Sequence, residues 1–260
     1  MNLQLKDKRA FISGSTKGIG FATAKLLGEE GATVIINGRS DDSVNKALSK
    51  LKEEVPNGDF SGIQCDFANI SEIDSLIEEL GSIDILINNV GIFENKGFFD
   101  IPDDEWRELY EVNVLSGVRL TRALLPKMMK QHWGRVLFIS SESALNIPTE
   151  MIHYGMTKTA QLAVARGVAE LTEGTEVRVN SILPGPTLSN GVKDMMDIES
   201  EEDKEKAEEE FFSEGRPTSI IQRFTTPEEV ANTIVYFASP LSSATNGASI
   251  RAEGGIVKTI

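Results

Sequence analysis

The sequence predicts a doubly wound α/β fold, with a mainly parallel sheet covered by helices on both faces, and three observations predict it. Short apolar runs alternate with helical stretches from near residue 8 to the last residues. A glycine-rich turn, Ser13-Gly14-Ser15-Thr16-Lys17-Gly18-Ile19-Gly20, separates the first run from the first helix. Further on, Ile83-Asp84-Ile85-Leu86-Ile87 is almost unbroken apolar sequence, as in a strand buried on both sides.

The elements follow in order. Ala10-Phe11-Ile12 reads as a strand, the stretch from Ile19 to Glu29 as a helix ended by Gly31, and Thr33-Val34-Ile35-Ile36 as a second strand. That unit has the length of a βαβ crossover. A polar helix through Val44 to Glu54, a strand near Gly62-Ile63-Gln64 and a helix through Ile70 to Leu80 continue the pattern. Two long helices are expected at Asp104 to Lys130 and Tyr154 to Leu171, with the strand Arg135-Val136-Leu137-Phe138-Ile139 between them. Val177 to Ile182 is a further strand, after which regularity breaks at Pro184-Gly185-Pro186. A helix from Pro227 to Ala238 and a short strand at Ala248-Ser249-Ile250 close the pattern. No repeat at solenoid spacing interrupts it, so a single domain over residues 1–260 is expected, with a variable substrate loop or lid at 188–223.

Composition narrows the function. With 40% hydrophobic and 25% charged residues the chain can bury a full core. A net charge of −14 argues against nucleic acid or an anionic membrane as partner, although much of the excess lies between Glu199 and Glu210. No apolar run approaches the ~18 residues of a membrane span, and residues 1–9 lack the pattern of a signal peptide. The single cysteine, Cys65, excludes an internal disulfide and reads as a buried structural thiol, which suits a cytoplasmic location. Two histidines and one cysteine leave no basis for a His/Cys metal site.

The chemistry is carried by spaced polar residues at the predicted strand ends. Glycines at 14, 18 and 20 allow a sharp turn, close approach of a pyrophosphate and tight helix–strand packing, with the helix N-terminus facing the phosphates. Tyr154 and Lys158, spaced i, i+4, share one helix face. A nearby ammonium favours the phenolate and is expected to lower the phenol's ordinary value, fitting the pair for proton transfer. The second strand ends Ile36-Asn37-Gly38-Arg39. NAD enzymes usually carry an acid at such a position, and an arginine suits the 2′-phosphate of NADP(H). Gly38 stands where the acid would be, Arg39 follows it, and Lys17 adds a second cation. NADP(H) is therefore expected, with NAD(H) the alternative that Asp41 and Asp42 keep open.

These residues resemble the short-chain dehydrogenase/reductase family. The G-x-x-x-G-x-G turn is similar to that family's cofactor turn, with Ser13 at a position usually held by threonine. Asn88-Asn89-Val90-Gly91 looks like its Asn-Asn-Ala-Gly element, with Val90 a departure near the adenosine half of the cofactor. Asn113, Ser141, the Tyr154-x-x-x-Lys158 pair and Pro184-Gly185-Pro186-Thr187 follow in the family's order, from about residue 8 to 255. The resemblance implies a Rossmann-type fold and hydride transfer between a nicotinamide and a carbonyl or alcohol carbon. It assigns acid/base work to Tyr154, with Lys158 beside it, substrate positioning to Ser141, and to Asn113 a helix distortion that helps hold a water connected to the lysine. Gly14, Ser15, Thr16, Lys17, Gly18, Ile19, Gly20, Arg39, Asp66, Asn89, Gly91, Tyr154, Lys158, Pro184, Gly185 and Thr187 are the cofactor-binding candidates. Asp66 matches the family position that bonds the adenine amine.

Substrate specificity is expected in the segment after Pro186. Met195, Met196, Ile198, Phe211 and Phe212, with Leu145, Ile147 and Met151, are candidates for an apolar pocket wall or a lid underside, and the acidic stretch reads as a solvated helix face. An apolar carbonyl or alcohol is thus favoured over a sugar. A 3-oxoacyl carrier-protein reductase is the alternative within the enzyme class, with Lys127, Lys130, His132 and Arg135 as a basic patch for an acidic carrier. A non-catalytic NADP(H)-sensing protein is the alternative outside it. Apolar residues beyond one inward stripe point to a homo-oligomer, tetramer or dimer: Leu109, Val112, Leu115 and Val118 on the first long helix, and Leu162, Val164 and Val168 on the second.

Overall fold

Seven strands, among the residues described in this computed structural model (2–189, 192–193 and 196–260), form one parallel sheet. They are β1 (Arg9–Ile12), β2 (Thr33–Gly38), β3 (Asp59–Gln64), β4 (Ile85–Asn88), β5 (Trp133–Ile139), β6 (Glu176–Pro184) and β7 (Ser249–Ala252). Their order is β3-β2-β1-β4-β5-β6-β7, so the winding reverses between β1 and β4. In open α/β sheets a ligand crevice forms at the carboxyl ends of the strands at such a reversal.

The inner strands are largely apolar because both faces of the sheet are covered, while the edge strands β3 and β7 carry polar, partly exposed residues. Ala10, Ile12, Val34, Ile36, Ile85 and Ile87 face helices α1 (Gly18–Glu29), α2 (Asp41–Glu54) and α8 (Pro227–Ala238). Their neighbours Phe11, Ile35, Leu86, Val136 and Phe138 face α3 (Ile70–Leu80), α5 (Ser116–Lys130) and α6 (Ile152–Glu170). The period-two alternation thus assigns each strand residue to one of two cores. Cys65 lies in the second core, and burial pushes its thiol up to about 12, as expected of a structural cysteine. No described helix is long and apolar enough to cross a membrane.

Boundaries shift by a few residues from the sequence reading. β3 begins at Asp59, β4 runs Ile85–Asn88, and α2 starts at Asp41 behind the N-cap Ser40. One expected element differs in kind. The long helix at 104–130 is α4 (Asp103–Tyr110) and α5, joined by a π-helical turn at Glu111–Leu115 with Asn113 at its centre. Such a turn admits one additional residue, and here Asn113 uses its side chain on a neighbouring loop rather than on solvent.

The acidic stretch forms α7 (Glu201–Glu210), opened by a capping box between Ser200 and Asp203, with no buried residue. Of the two phenylalanines expected at a pocket wall or a lid underside, Phe212 is buried beneath the segment. It clusters with Phe211 and Phe224, ring centroids 5.1 to 5.2 Å apart, because the segment needs a small core of its own. Met196 and Ile198 are half-buried, and Met195 lies outside the described residues.

Two surface expectations also change. Leu109 and Val112 are buried within the chain, so they are not surplus apolar surface, and Val164 and Val168 pack against its second core. Arg135 is not part of a basic patch. It is 1% exposed, lies against Trp133 and donates to the carbonyls of Ser239, Gly134 and Glu176, which β5 and its neighbours leave within its reach.

Candidate active site

The turn after β1 is held by hydrogen bonds that tie its residues to the ends of β2 and β4. Ser13 Oγ accepts from the backbone N–H groups of Asn89 and Val90 at 3.0 and 3.1 Å, tying the turn to the end of β4. The Asn89 amide donates back to the carbonyls of Ser13 and Gly14 at 3.1 and 2.8 Å. Ser15 Oγ donates to Ile12 O and accepts from Asn37 N, while Asn37 Oδ1 takes the N–H of Gly14 at 3.0 Å. Asn37, buried at the end of β2, therefore braces the turn, a role the sequence reading did not assign.

The glycines are required by geometry. Gly14 and Gly18 have φ of +61° and +59°, the left-handed region that side chains disfavour. A Cβ on Gly20 would fall 2.6 Å from the Gly14 carbonyl oxygen. Helix α1 then opens behind an extended Lys17 with no side-chain cap, so its first N–H groups receive no capping side chain. This is a cradle shaped for a phosphate.

At the end of β2, Gly38 is enclosed. A Cβ there would lie 2.5 Å from Thr16 Cγ2 and 2.7 Å from Ser43 Oγ, so no acid fits without rearrangement. Arg39 follows with its side chain exposed. Asp42, one of the two acids nearby, pairs with Lys46 at 2.7 Å. Asp66 lies just beyond β3, its backbone N–H held by Glu72 and its own carboxylate capping Ala68 N at 3.0 Å.

Across the sheet reversal, the ends of β4 and β5 and the start of α6 bring four predicted residues together. Tyr154 is half-buried, and Ser141, which follows β5, acts on its phenol as a polar neighbour. Lys158, one turn along α6, has its Nζ 5.5 Å from the Tyr154 ring centroid and donates to Ile139 O at 2.9 Å. Asn113 is clamped by three bonds: its Oδ1 accepts from Ile92 N at 2.8 Å, and its Nδ2 donates to Ile92 O and Thr157 Oγ1 at 2.9 and 3.0 Å. Gly91 leaves open the space before them; a Cβ there would stand 3.3 Å from Lys158 Nζ and 3.6 Å from Asn113 Oδ1.

The electrostatics differ from the sequence reading. Burial pushes the Tyr154 phenol up to about 12, and the Glu142 carboxylate adds to the rise, while the Ser141 hydroxyl opposes it. Burial alone brings the Lys158 ammonium down to about 8. In the ligand-free protein desolvation outweighs any help the ammonium gives the phenolate, because both groups leave water together.

Five further residues belong to this region. Phe93, half-exposed two residues past Gly91, meets Tyr154 edge to face at 5.9 Å. Leu145 and Ile147, on the loop between Ser141 and α6, are also exposed. Glu142, directly after Ser141, is buried with its Oε1 bonded to Arg216 Nε at 2.9 Å and to the Ser143 hydroxyl at 3.1 Å. Gln161 is buried behind Lys158. Beyond β6, Gly185 packs on the Glu253 backbone, Thr187 bonds Thr225 at 3.0 Å, and Ser189 lies over Gly18. Pro184 to Thr187 thus borders the same crevice as the glycine turn.

A seven-stranded doubly wound sheet with these groups at its carboxyl edge defines a nicotinamide-type oxidoreductase scaffold, and the chain belongs to the short-chain dehydrogenase/reductase family. A family profile described as enoyl-(acyl carrier protein) reductase matches residues 14–257. Among relatives, the chain is 46% identical to the uncharacterized oxidoreductase YvaG of Bacillus subtilis (strain 168), over 100% of both chains. It is 33% identical to the 3-oxoacyl-[acyl-carrier-protein] reductase FabG of Aquifex aeolicus (strain VF5), covering 98% of this chain and 100% of the relative. The crystal structure of L-sorbose reductase from Gluconobacter frateurii, complexed with NADPH and L-sorbose, superposes with a TM-score of 0.90 at 28% identity over 100% of both chains.

Proposed function

We propose that the protein interconverts a carbonyl and a secondary alcohol with NADP(H), using Tyr154 as the proton donor and acceptor. The observation that carries this reading is the meeting of Tyr154, Ser141, Lys158 and Asn113 near the carboxyl edge of the sheet that also bears the glycine turn and the uncapped start of α1. The residues fit a dinucleotide: left-handed Gly14 and Gly18 and the uncapped start of α1 suit a pyrophosphate, and Gly91 leaves room in front of Lys158. When bound, the nicotinamide supplies or takes the hydride, and its oxidised ring adds positive charge beside the phenol.

The chain's own residues handle the proton. Ser141, the polar neighbour of the phenol, holds the substrate oxygen beside it. With its phenol raised to about 12, Tyr154 holds its proton at neutral pH and is set to donate it to a carbonyl oxygen as that oxygen gains charge. Lys158 stands one turn away as the charge that restores the balance when the phenol loses its proton.

NADP(H) is favoured over NAD(H) because Gly38 has no room for an acid and Arg39 is exposed next to it, while Asp42 is engaged with Lys46. The L-sorbose reductase relative binds NADPH, which agrees with this reading. An apolar carbonyl is favoured over a sugar, since Phe93 lies edge to face against Tyr154 and Leu145 and Ile147 are exposed on the loop between Ser141 and α6. A carrier-bound 3-oxoacyl substrate is the second reading, favoured by the FabG relationship. Burial of Arg135 and the net charge of −14 count against docking of an acidic carrier. The test is a panel of ketones, aldehydes and 3-oxoacyl thioesters monitored by NADPH oxidation, with NADH in parallel. Turnover of none of them with either cofactor removes the proposal.

A further inference from the structure

We infer that Gln161 is a positioning residue for Lys158: its carboxamide spans from the main-chain carbonyl of Asn113 to the lysine ammonium and fixes where that ammonium stands. The inference rests on the reading of Lys158 as part of the proton-transfer group, and it adds a residue that the family resemblance did not assign.

The geometry begins at the π-helical turn. The Asn113 carbonyl oxygen accepts a hydrogen bond from Gln161 Nε2 at 2.6 Å, a short bond between fully buried partners. The opposite end of the same amide, Oε1, faces Lys158 Nζ at 3.5 Å. Lys158 and Gln161 are three residues apart on α6, the spacing at which helix side chains meet.

The order of atoms in the amide is set by its neighbours. A carbonyl can only accept and an ammonium can only donate, so the nitrogen must face Asn113 and the oxygen must face Lys158. A neutral carboxamide is the side chain that answers both demands. A carboxylate would set two acceptors against each other at Asn113, and an apolar side chain would leave both neighbours without this partner.

The effect on Lys158 follows. Its Nζ has three N–H groups; one goes to Ile139 O at 2.9 Å and a second points its charge at Gln161 Oε1. At 3.5 Å the second contact acts mainly through the amide dipole, which favours the charged amine against the burial that lowers it. The remaining N–H is left for a molecule bound in the crevice. Groups near the ammonium are the Gly91 backbone and the Asn113 amide, which flank the same space, and on α6 itself the ring of Tyr154, while the carboxylate of Glu142 acts on the phenol. Desolvation is what displaces the Lys158 ammonium, so a nearby dipole has an unscreened target.

A merely structural amide, bonded to Asn113 to join α6 to the π-helical turn, makes a different prediction. Its removal would lower stability without a directed change in the lysine's titration.

The experiment is NMR titration of the ligand-free full chain labelled at lysine Cε and Nζ, with the Lys158 signal assigned by its loss in Lys158→Met. Gln161→Met keeps length and removes both polar atoms; it should move the Lys158 midpoint downward by about half a pH unit or more. Gln161→Glu places a carboxylate beside the ammonium and should move it upward by a similar amount. In the unsubstituted protein, the side-chain amide signals of Gln161 should shift with the same midpoint as Lys158. That measurement decides the matter even where both variants fail to fold. Midpoints that stay put in folded variants, or amide signals blind to the Lys158 titration, overturn the inference. The readout needs no turnover, so an inactive carbonyl panel with the expected titration would sink the proposed activity and leave the role of Gln161 intact.

Discussion

Arg216 and Glu142, 74 residues apart in sequence, meet in a buried ion pair with Arg216 Nε 2.9 Å from Glu142 Oε1. Glu142 directly follows Ser141, and its Oε1 also accepts from the Ser143 hydroxyl. Ser141 Oγ in turn accepts from Ser143 N at 3.1 Å. The pair therefore ties the segment after β6 to the turn that carries Ser141. Burial raises the Glu142 carboxyl, and the guanidinium is what opposes that rise.

Arg216→Met is expected to leave an uncompensated carboxylate in the interior and to destabilise the protein by about 3–5 kcal/mol. Adding Glu142→Gln to the same chain should recover a large part of that loss. Urea unfolding of the two single variants and the double variant measures the coupling, and simple additivity would show that the pair does not act as a unit.

Tyr154→Phe should reduce turnover by roughly 10²–10⁴, the contribution of a positioned proton donor, while NADP(H) affinity stays nearly unchanged. In the proposed reading cofactor affinity would come mainly from the glycine turn and Arg39, not from the phenol oxygen. Steady-state kinetics and fluorescence titration of NADPH separate the two quantities. Substantial residual turnover would remove Tyr154 from the acid/base role.

Arg39→Asp should shift preference from NADPH towards NADH by roughly 10–100-fold, the scale of a lost charge-assisted hydrogen bond. Gly38→Asp is a poor route to the same end, because its Cβ would collide with Thr16 and Ser43. Equal weakening of both cofactors in Arg39→Asp would show that the guanidinium does not face the 2′-phosphate.

Stability should depend on pH through Lys158. Its folded-state value is near 8 against an ordinary 10.5, so between those values the unfolded chain holds a proton that the native one has released. Native stability supplied by this group therefore rises with pH across that window, and below pH 8 its buried charge is a net cost. Tyr154, raised to about 12, works in reverse above its ordinary 10.0, where the unfolded chain loses its proton first. Relative to wild type, ligand-free Lys158→Met should lack the rise between pH 8 and 10. Denaturant unfolding at stepped pH checks this, and parallel curves would refute it.

A homo-oligomer, dimer or tetramer, remains the expected assembly, now on different residues. Phe98, Phe99 and Tyr110 are exposed on and before α4, and Leu115, Val118 and Leu162 are half-buried on the adjoining elements. Light scattering at micromolar concentration should give a multiple of 28.4 kDa, and a mass of one chain rules the assembly out.

The fold was legible because strand burial on both faces leaves an unmistakable apolar signature, and the glycine turn marks the first crossover. The gathering of Ser141, Tyr154 and Lys158 was legible because two of them share a helix and the third ends a strand. Gln161 and Arg216 were not, since a buried amide or ion pair looks the same in sequence as a solvated one until distant elements pack around it. Asn37 did leave a signal, a polar residue following the apolar run Val34-Ile35-Ile36. Arg135 misled for the opposite reason, being a charge that satisfies itself on backbone carbonyls inside the fold.

The π-helical turn at Glu111–Leu115 also holds one residue more than a regular helix would fit into the same rotation. Deleting one residue there would let α4 and α5 join as continuous α-helix in nearly the same phase, with Leu109 still facing the core. What the deletion would remove is the station from which Asn113 reaches Ile92 and Thr157. The extra residue is therefore spent on aiming one side chain, and a chain without it would keep its core and lose that aim.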